Sequence, residues 1–161
     1  MIVRQIKYNS PEYKEAVILR DLILRQPLGL KLDPKDLLKE KDDYHIGCFE
    51  DNRLFGVLIL TPQDKEIIQM RQVAVDNKQQ RKGVGSMLVK FAEKTAAEHQ
   101  FSKIILSART TALDFYLKMS YKTVGGEYIS KSTNILHVEM IKSLSNSKNH
   151  RERGEKNSLL D

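Results

Sequence analysis

The chain has 161 residues, 40% hydrophobic and 30% charged, which is one domain's length with enough apolar side chains for a real core. No apolar run is long enough to span a bilayer, the N-terminus MIVRQIKYNS lacks the apolar stretch and cleavage site of a secretion signal, and the single cysteine, Cys48, excludes an internal disulfide; we expect a cytoplasmic protein. The net charge of +6, with pI near 9.3, is diffuse and carries no nucleic-acid motif, so an anionic ligand explains it at least as well as DNA does.

In chain order, Ile2 to Tyr8 alternates loosely and reads as a first strand. Ser10-Pro11 supplies an N-cap and a first-turn proline for a helix to about Arg25, with Val17, Ile18, Leu22, Tyr13 and Leu24 on its apolar side. The stretch Gln26-Pro27-Leu28-Gly29-Leu30 breaks it, and Asp33-Pro34 caps a short helix to about Lys41. Tyr44 to Glu50 and Arg53 to Thr61 read as a hairpin around Asp51-Asn52, and Pro62 to Lys65 turns the chain into a third strand of the meander, Ile67 to Val75. After a long helix, Lys103 to Ser107 is a short strand. Thr111 followed by Asp114 gives the cap signal of another helix, with Ala112, Phe115, Tyr116 and Met119 on one face. Tyr121 to Tyr128 and Asn134 to Lys142 close the fold, with a kink expected at Gly125-Gly126. From Ser143 the composition turns polar and predicts a flexible tail, residues 143–161, behind one domain, residues 1–142.

The most informative stretch is Ile67 to Phe91. The strand ends in Val73, Ala74 and Val75. A basic turn follows, Gln80-Arg81-Lys82-Gly83-Val84-Gly85-Ser86. Val84, Met87, Leu88, Phe91 and Ala92 then recur at helical spacing. The first amides of a helix lack intrahelical acceptors and carry the positive end of its dipole. Gly83 and Gly85 present no side chain to block a ligand, and Arg81 and Lys82 add two full charges. Such a junction holds a diphosphate by its backbone. The dinucleotide loop would need glycine or alanine at Leu88, and the NTPase loop needs a Gly-Lys-Ser/Thr run that is absent.

The hexad Gln80 to Gly85, with Val73-Ala74-Val75 before it and the helix behind, resembles the coenzyme A motif of the GNAT superfamily of N-acyltransferases. The segment Ala108 to Tyr121 resembles a second family stretch, with Ala112, Phe115, Tyr116 and Tyr121 matching. Two positions depart from it. Arg109 stands where an asparagine often contacts the cofactor, and its guanidinium is a donor for a phosphate or a pantetheine amide. Ser120 stands where a glycine ends the helix, a cost of up to about 1 kcal/mol if the site needs positive φ. The Ile23 to Leu30 stretch is similar to that of uncharacterised bacterial members.

The resemblance implies an α/β fold of the mixed (α+β) kind: a central, mostly antiparallel sheet of about seven strands flanked by about four helices. It implies an N-acetyltransferase that moves an acyl group from acetyl-CoA directly to an amine of a small molecule or peptide, without a metal. Val73, Ala74 and Val75 would pair with the pantetheine arm as an added strand. Residues Gln80 to Ser86 and Arg109 would complete the cofactor site. Tyr116 would protonate the leaving thiolate, a phenol being protonated at neutral pH. The base is open: the strand position where some members carry a glutamate is Gln69. Glu66, His45, His137 and a water chain are the candidates for the role, and an amine that arrives neutral needs none. Cys48 has no histidine signature of a nucleophile. Two other functions remain in view: a non-catalytic acyl-CoA-binding module, and a nucleic-acid-associated protein whose affinity would fall steeply with salt. The acceptor amine carries no readable motif, no membrane partner is expected, and edge strands near the C-terminus could pair two copies in a homodimer.

Overall fold

The computed structural model describes residues 1–144. Within them, seven strands form one sheet: β1 (Ile2–Ile6), β2 (Tyr44–Glu50), β3 (Arg53–Pro62), β4 (Ile67–Val75), β5 (Lys103–Arg109), β6 (Lys122–Ile129) and β7 (Leu136–Ser143). Their spatial order is β1-β2-β3-β4-β5-β7-β6, and every pair is antiparallel except β4 with β5. Four α-helices complete the fold: α1 (Pro11–Arg20), α2 (Pro34–Leu38), α3 (Val84–Glu98) and α4 (Leu113–Lys118). The expected mixed, mostly antiparallel sheet with four helices is therefore present. The polar tail lies outside the described residues from 145 on. The sheet runs slightly past its expected end, since Ser143 closes β7 and the Leu144 amide donates to Ser102 O at 2.8 Å.

Local chemistry sets the hairpin. Asp51 and Asn52 both hold positive φ, 50° and 63°, and Glu50 pairs with Arg53 across a two-residue turn. That is the mirror-image turn whose twist matches a right-handed ribbon, and Asp and Asn tolerate it. The larger core lies between the sheet and α3: Ile46, Leu58, Leu60, Ile68, Met70, Leu88, Val89, Ala92 and Ile104 meet there. Met87 and Phe91, expected on the buried face of α3, pack at the margin of this core. A smaller core on the opposite face joins α1 to Ile6, Phe49, Val57 and Ala74.

The apolar face expected for α1 is buried only in part: Tyr13 is in the smaller core and Val17 and Leu24 pack against it, but Ile18 and Leu22 do not. Tyr13, Ala16, Leu19 and Arg20 are buried, while Ile18 is 68% exposed and Leu22 47% exposed. The reason is a polar anchor. The Arg20 guanidinium makes two bonds to Glu40, at 2.9 and 2.7 Å, and the Tyr13 hydroxyl donates to the same carboxylate at 2.9 Å. Arg20 is only 1% exposed and Glu40 2%, so the helix is rotated to satisfy a buried ion pair rather than its greasiest stripe. Removing one partner strands the other charge. Glu40→Ala is expected to destabilise the fold by about 3–5 kcal/mol and to lower Tm by roughly 10 °C, read by thermal melting. An unchanged melt would show that the pair is dispensable.

Past Arg20 the helix does not simply stop. Asp21–Arg25 forms a π-helical turn, closed by the Gln26 amide on Asp21 O, and a 3-10 turn over Gln26–Leu28 ends at Gly29. Wide turns of this kind favour functional sites. The second irregularity is in β4. Gln72 has φ 56°, and the four β4 residues from Arg71 to Ala74 lie opposite only three β3 residues, from Ile59 to Val57. The extra residue is a bulge, and it reverses the side-chain alternation. Ile68 and Met70 face the α3 core, but Ala74 joins the α1 core, while Val73 and Val75 pack toward α3. The Arg20 Nε donates to Gln72 Oε1 at 3.3 Å, which ties the bulge to the buried ion pair.

Candidate active site

The parallel pair β4–β5 holds for only three residues, Ile67 to Gln69 against Lys103 to Ile105. Beyond them β5 stays with β7 as far as Arg109, and β4, past its bulge, stays with β3. The sheet therefore forks. The Asp76 amide donates to Phe55 O at 2.8 Å, so Asp76 and Ala74 turn their backbone groups toward β3. Strand alternation then turns the N–H and C=O groups of Val73 and Val75 into the fork. One of these is taken: Gln80 Nε2 donates to Val75 O at 3.1 Å. An exposed ladder edge of this kind accepts an extended amide chain.

At the mouth of the fork the chain passes through the basic turn. Asp76 caps the short turn Asn77–Gln79 through the Lys78 amide, at 2.9 Å. Arg81 and Gly83 both adopt the left-handed region, with φ 68° and 83°. α3 starts at Gly83 with no side-chain cap, and its first bond runs from the Met87 amide to Gly83 O at 3.0 Å. The amides of Val84, Gly85 and Ser86 are thus the free donors at the positive end of a fifteen-residue helix. The two glycines differ in purpose. A Cβ on Gly83 would meet nothing within 4 Å, whereas one on Gly85 would meet the Phe115 ring at 3.3 Å. Gly83 leaves space for a ligand and Gly85 lets α4 approach α3. The Gln80 carboxamide serves the turn itself, donating to Val75 O and, at 3.0 Å, to Asn77 Oδ1. Arg81 and Lys82 are exposed beside the free amides.

The other wall comes from α4. Its start differs from the expected Thr111 cap: Thr110–Ala112 is a 3-10 turn and the helix begins at Leu113 with no side-chain cap. Its end is well defined. Ser120 takes φ 72°, the Tyr121 amide donates to Tyr116 O at 3.0 Å, and the Ser120 amide to Leu117 O at 3.0 Å. This is a Schellman closure built on serine where glycine is cheaper. Its apolar contact is Tyr116 against Tyr121, with ring centroids 5.7 Å apart, and Phe115 adds a second edge at 5.0 Å. Tyr121 is fixed in turn through its hydroxyl on Glu93, which also pairs with Lys142 at 3.0 Å. Tyr116 is therefore locked in a rigid aromatic stack. Burial pushes its phenol up to about 12, and its hydroxyl makes no hydrogen bond within the described residues.

The fork opens into a cleft of about 440 Å³. Tyr116, Gln69, Val73, Arg109 and His137 line it, together with the π turn, α2 and the β6–β7 connection. The structure separates the candidate bases. Glu66 is exposed at the entry of β4, where its carbonyl accepts from Ser102 and Lys103. His45 is buried between Tyr8 and Tyr13, with Nε2 at 2.9 Å from Glu40 O. Gln69 Oε1 accepts from Gln63 at 3.3 Å. His137 alone of the four combines a titratable side chain with the cleft: its Nδ1–H donates to Ile135 O at 2.9 Å, which leaves Nε2 as the lone-pair nitrogen. Cys48 is fully buried, and burial pushes its thiol up, away from nucleophilic character.

Arg109 reaches across the cleft, donating to Leu24 O in the π turn at 2.9 Å. Four cleft cations went unmarked in the sequence: Arg20, Arg25, Lys31 and Arg71. Nothing in their local context distinguishes them from solvated charges; only the irregular Arg25-to-Leu30 stretch marks their neighbourhood. Among the described residues, no group of three or more His, Cys, Asp or Glu side chains converges as a metal site would, and no helix is long and apolar enough to cross a membrane.

The signature of the acetyltransferase (GNAT) domain matches residues 33–144. The uncharacterized N-acetyltransferase YjcF of Bacillus subtilis is 25% identical over 137 residues, covering 85% of this chain and 96% of that protein. An aminoglycoside 6'-N-acetyltransferase crystallised with coenzyme A superposes with a TM-score of 0.75 at 18% identity, covering 89% of this chain and 97% of the other. A GNAT family acetyltransferase from Elizabethkingia anophelis with acetyl-CoA bound gives 0.67 at 16% identity, again over 89% and 97%.

Proposed function

Because the chain belongs to the acetyltransferase (GNAT) family, we propose that it transfers an acetyl group from acetyl-CoA to an amine of a small molecule or peptide by direct attack. The observation that carries this reading is the fork: outward backbone groups at Val73 and Val75 continue into the free amides of Val84, Gly85 and Ser86, and Tyr116 faces the same cleft. The backbone at Val73 to Val75 holds the pantetheine amides, and the α3 end with Arg81 and Lys82 holds the diphosphate. Gln80 acts through the turn it braces. Acetyl-CoA would supply the thioester, and this chain's own groups do the rest. The amine nitrogen bonds to the acetyl carbon as the carbon–sulfur bond breaks. The amine's proton passes to His137 Nε2, and the Tyr116 hydroxyl donates to the departing sulfur.

Calorimetric titration with acetyl-CoA tests the reading, with one site per chain expected. No binding by the folded protein would remove it. Binding without transfer to any amine would favour an acyl-CoA-binding module instead. For the base, His137→Gln is expected to lower kcat by about 10²-fold. Acetyl-CoA affinity should be kept. A kcat that survives the substitution assigns the proton to water.

A further inference from the structure

The cleft is more cationic than transfer to an amine requires. Arg25 and Arg109 converge on one acceptor: Arg25 Nη1 lies 3.4 Å and Arg109 Nη2 2.9 Å from the same Leu24 carbonyl. Two guanidinium groups thus sit within the sum of those distances of each other. Arg71 lines the same cleft and donates to the Thr61 hydroxyl at 3.3 Å. None of the three forms an ion pair among the described residues. Arg20 is the contrast, since Glu40 neutralises it.

The acidic groups nearby do not balance the cluster. Glu40 is committed to Arg20 and Tyr13. Asp21 accepts the Leu32 amide at 3.0 Å, Asp33 caps α2 through the Lys35 amide, and Asp36 pairs with Lys39 at 3.6 Å. Asp43 lies close enough for Arg71 to favour its charged form, yet burial outweighs this and its Oδ2 has no partner. Burial lowers the proton affinity of Arg25 and of Arg109, and for Arg25 the neighbouring Arg109, Arg20 and Arg71 lower it further, with Asp21 offsetting only part of this. Half-buried like charges with only neutral acceptors are costly, and an incoming anion relieves that cost. The coenzyme's diphosphate does not meet this need, because the turn from Gln80 to Ser86 is no part of the cleft lining. Across the cleft, Ser130, Ser132 and Thr133 present hydroxyls, and Thr133 Oγ1 is buried without a partner.

We propose that the acceptor amine also carries an oxyanion, a carboxylate or a phosphate, seated by Arg25, Arg71 and Arg109. The assignment rests on the acetyltransferase reading and narrows it to amino-acid-like or phosphorylated amines, away from polycationic ones. Arginine's planar fork suits both oxyanions.

The test begins with full-length protein saturated with coenzyme A, which fills the diphosphate turn. Failure at that step rejects the acetyltransferase reading itself. Inorganic phosphate and, separately, acetate are then titrated, and the arginine Nε–H resonances are followed by NMR, assigned from single Arg→Gln variants. Resonances of Arg25, Arg71 and Arg109 should move on one isotherm, weakened at least about tenfold in Arg71→Gln, whose coenzyme A affinity stays unchanged. No response, or one confined to Arg81, overturns the proposal while leaving the acetyltransferase reading intact. The stronger anion of the two names the group. In turnover with acetyl-CoA, glycine should exceed glycinamide in kcat/KM, phosphoethanolamine should exceed ethanolamine, and spermidine should be poorest. A preference for spermidine overturns the assignment. So does an Arg71-dependent preference for succinyl-CoA, which would place the anion on the acyl donor.

Discussion

Replacing Tyr116 with phenylalanine is expected to lower kcat by about 10²–10³-fold, with acetyl-CoA affinity within about twofold of the wild type. The substitution keeps the ring, so the Phe115–Tyr116–Tyr121 stack and the Schellman closure survive, and only the unpartnered hydroxyl is lost. The size follows from proton energetics. A phenol pushed up to about 12 is a poor acid toward a thiolate whose conjugate acid ionises near about 8.5. Full transfer runs uphill by roughly 5 kcal/mol at 1.36 kcal/mol per unit. The hydroxyl therefore works as a hydrogen-bond donor to charge developing on sulfur, the kind of contact whose removal costs kcat rather than KM. The same direction of shift sets the pH dependence. With its ionisation raised, Tyr116 stays protonated through neutral and moderately alkaline conditions, so no alkaline fall below about pH 11 belongs to it. Steady-state kinetics with calorimetry decides: a loss carried by KM, or no loss, leaves Tyr116 as packing alone.

The elements that the sequence defined best are those whose signals are local. β2 and β4 fall where the Asp51-Asn52 and Pro62 to Lys65 turns put them, because adjacent residues carry the limits of each strand. The glycine turn and the Tyr116 helix were legible for the same reason. What escaped depends on residues far apart. The Arg20–Glu40 pair spans twenty positions and overrides the apolar stripe of α1. The fork depends on β4 pairing with β5 across the whole of α3, and on a bulge at Gln72 that no glycine announces. The two are connected: Arg20 braces the bulge, and the bulge turns Val73 and Val75 toward the α3 core on the stretch of β4 that has already parted from β5. His137 was visible but undistinguished, because a lone histidine acquires meaning only from the cleft that it lines. The arginine cluster was invisible for the same reason, its members being drawn from the π turn, β4 and β5.

Gly83→Val is expected to weaken acetyl-CoA binding by more than about tenfold, a loss above about 1.4 kcal/mol. Two effects act together. Gly83 holds φ 83°, a region that costs a β-branched residue roughly 1–2 kcal/mol, so the helix start shifts or strains. The new side chain also occupies space that Gly83 leaves open: apart from its chain neighbours, no protein atom lies within 4 Å of a Cβ built there. Gly83→Asn separates the two, since asparagine tolerates the left-handed region. Its side chain enters the same open space while the backbone stays in place. If occlusion dominates, Asn weakens binding nearly as much as Val while its melting temperature stays close to wild type. If strain dominates, Asn binds like wild type and only Val loses both affinity and stability. Because no protein atom contacts the position, unaltered affinity in both variants would mean that the diphosphate does not sit at this turn.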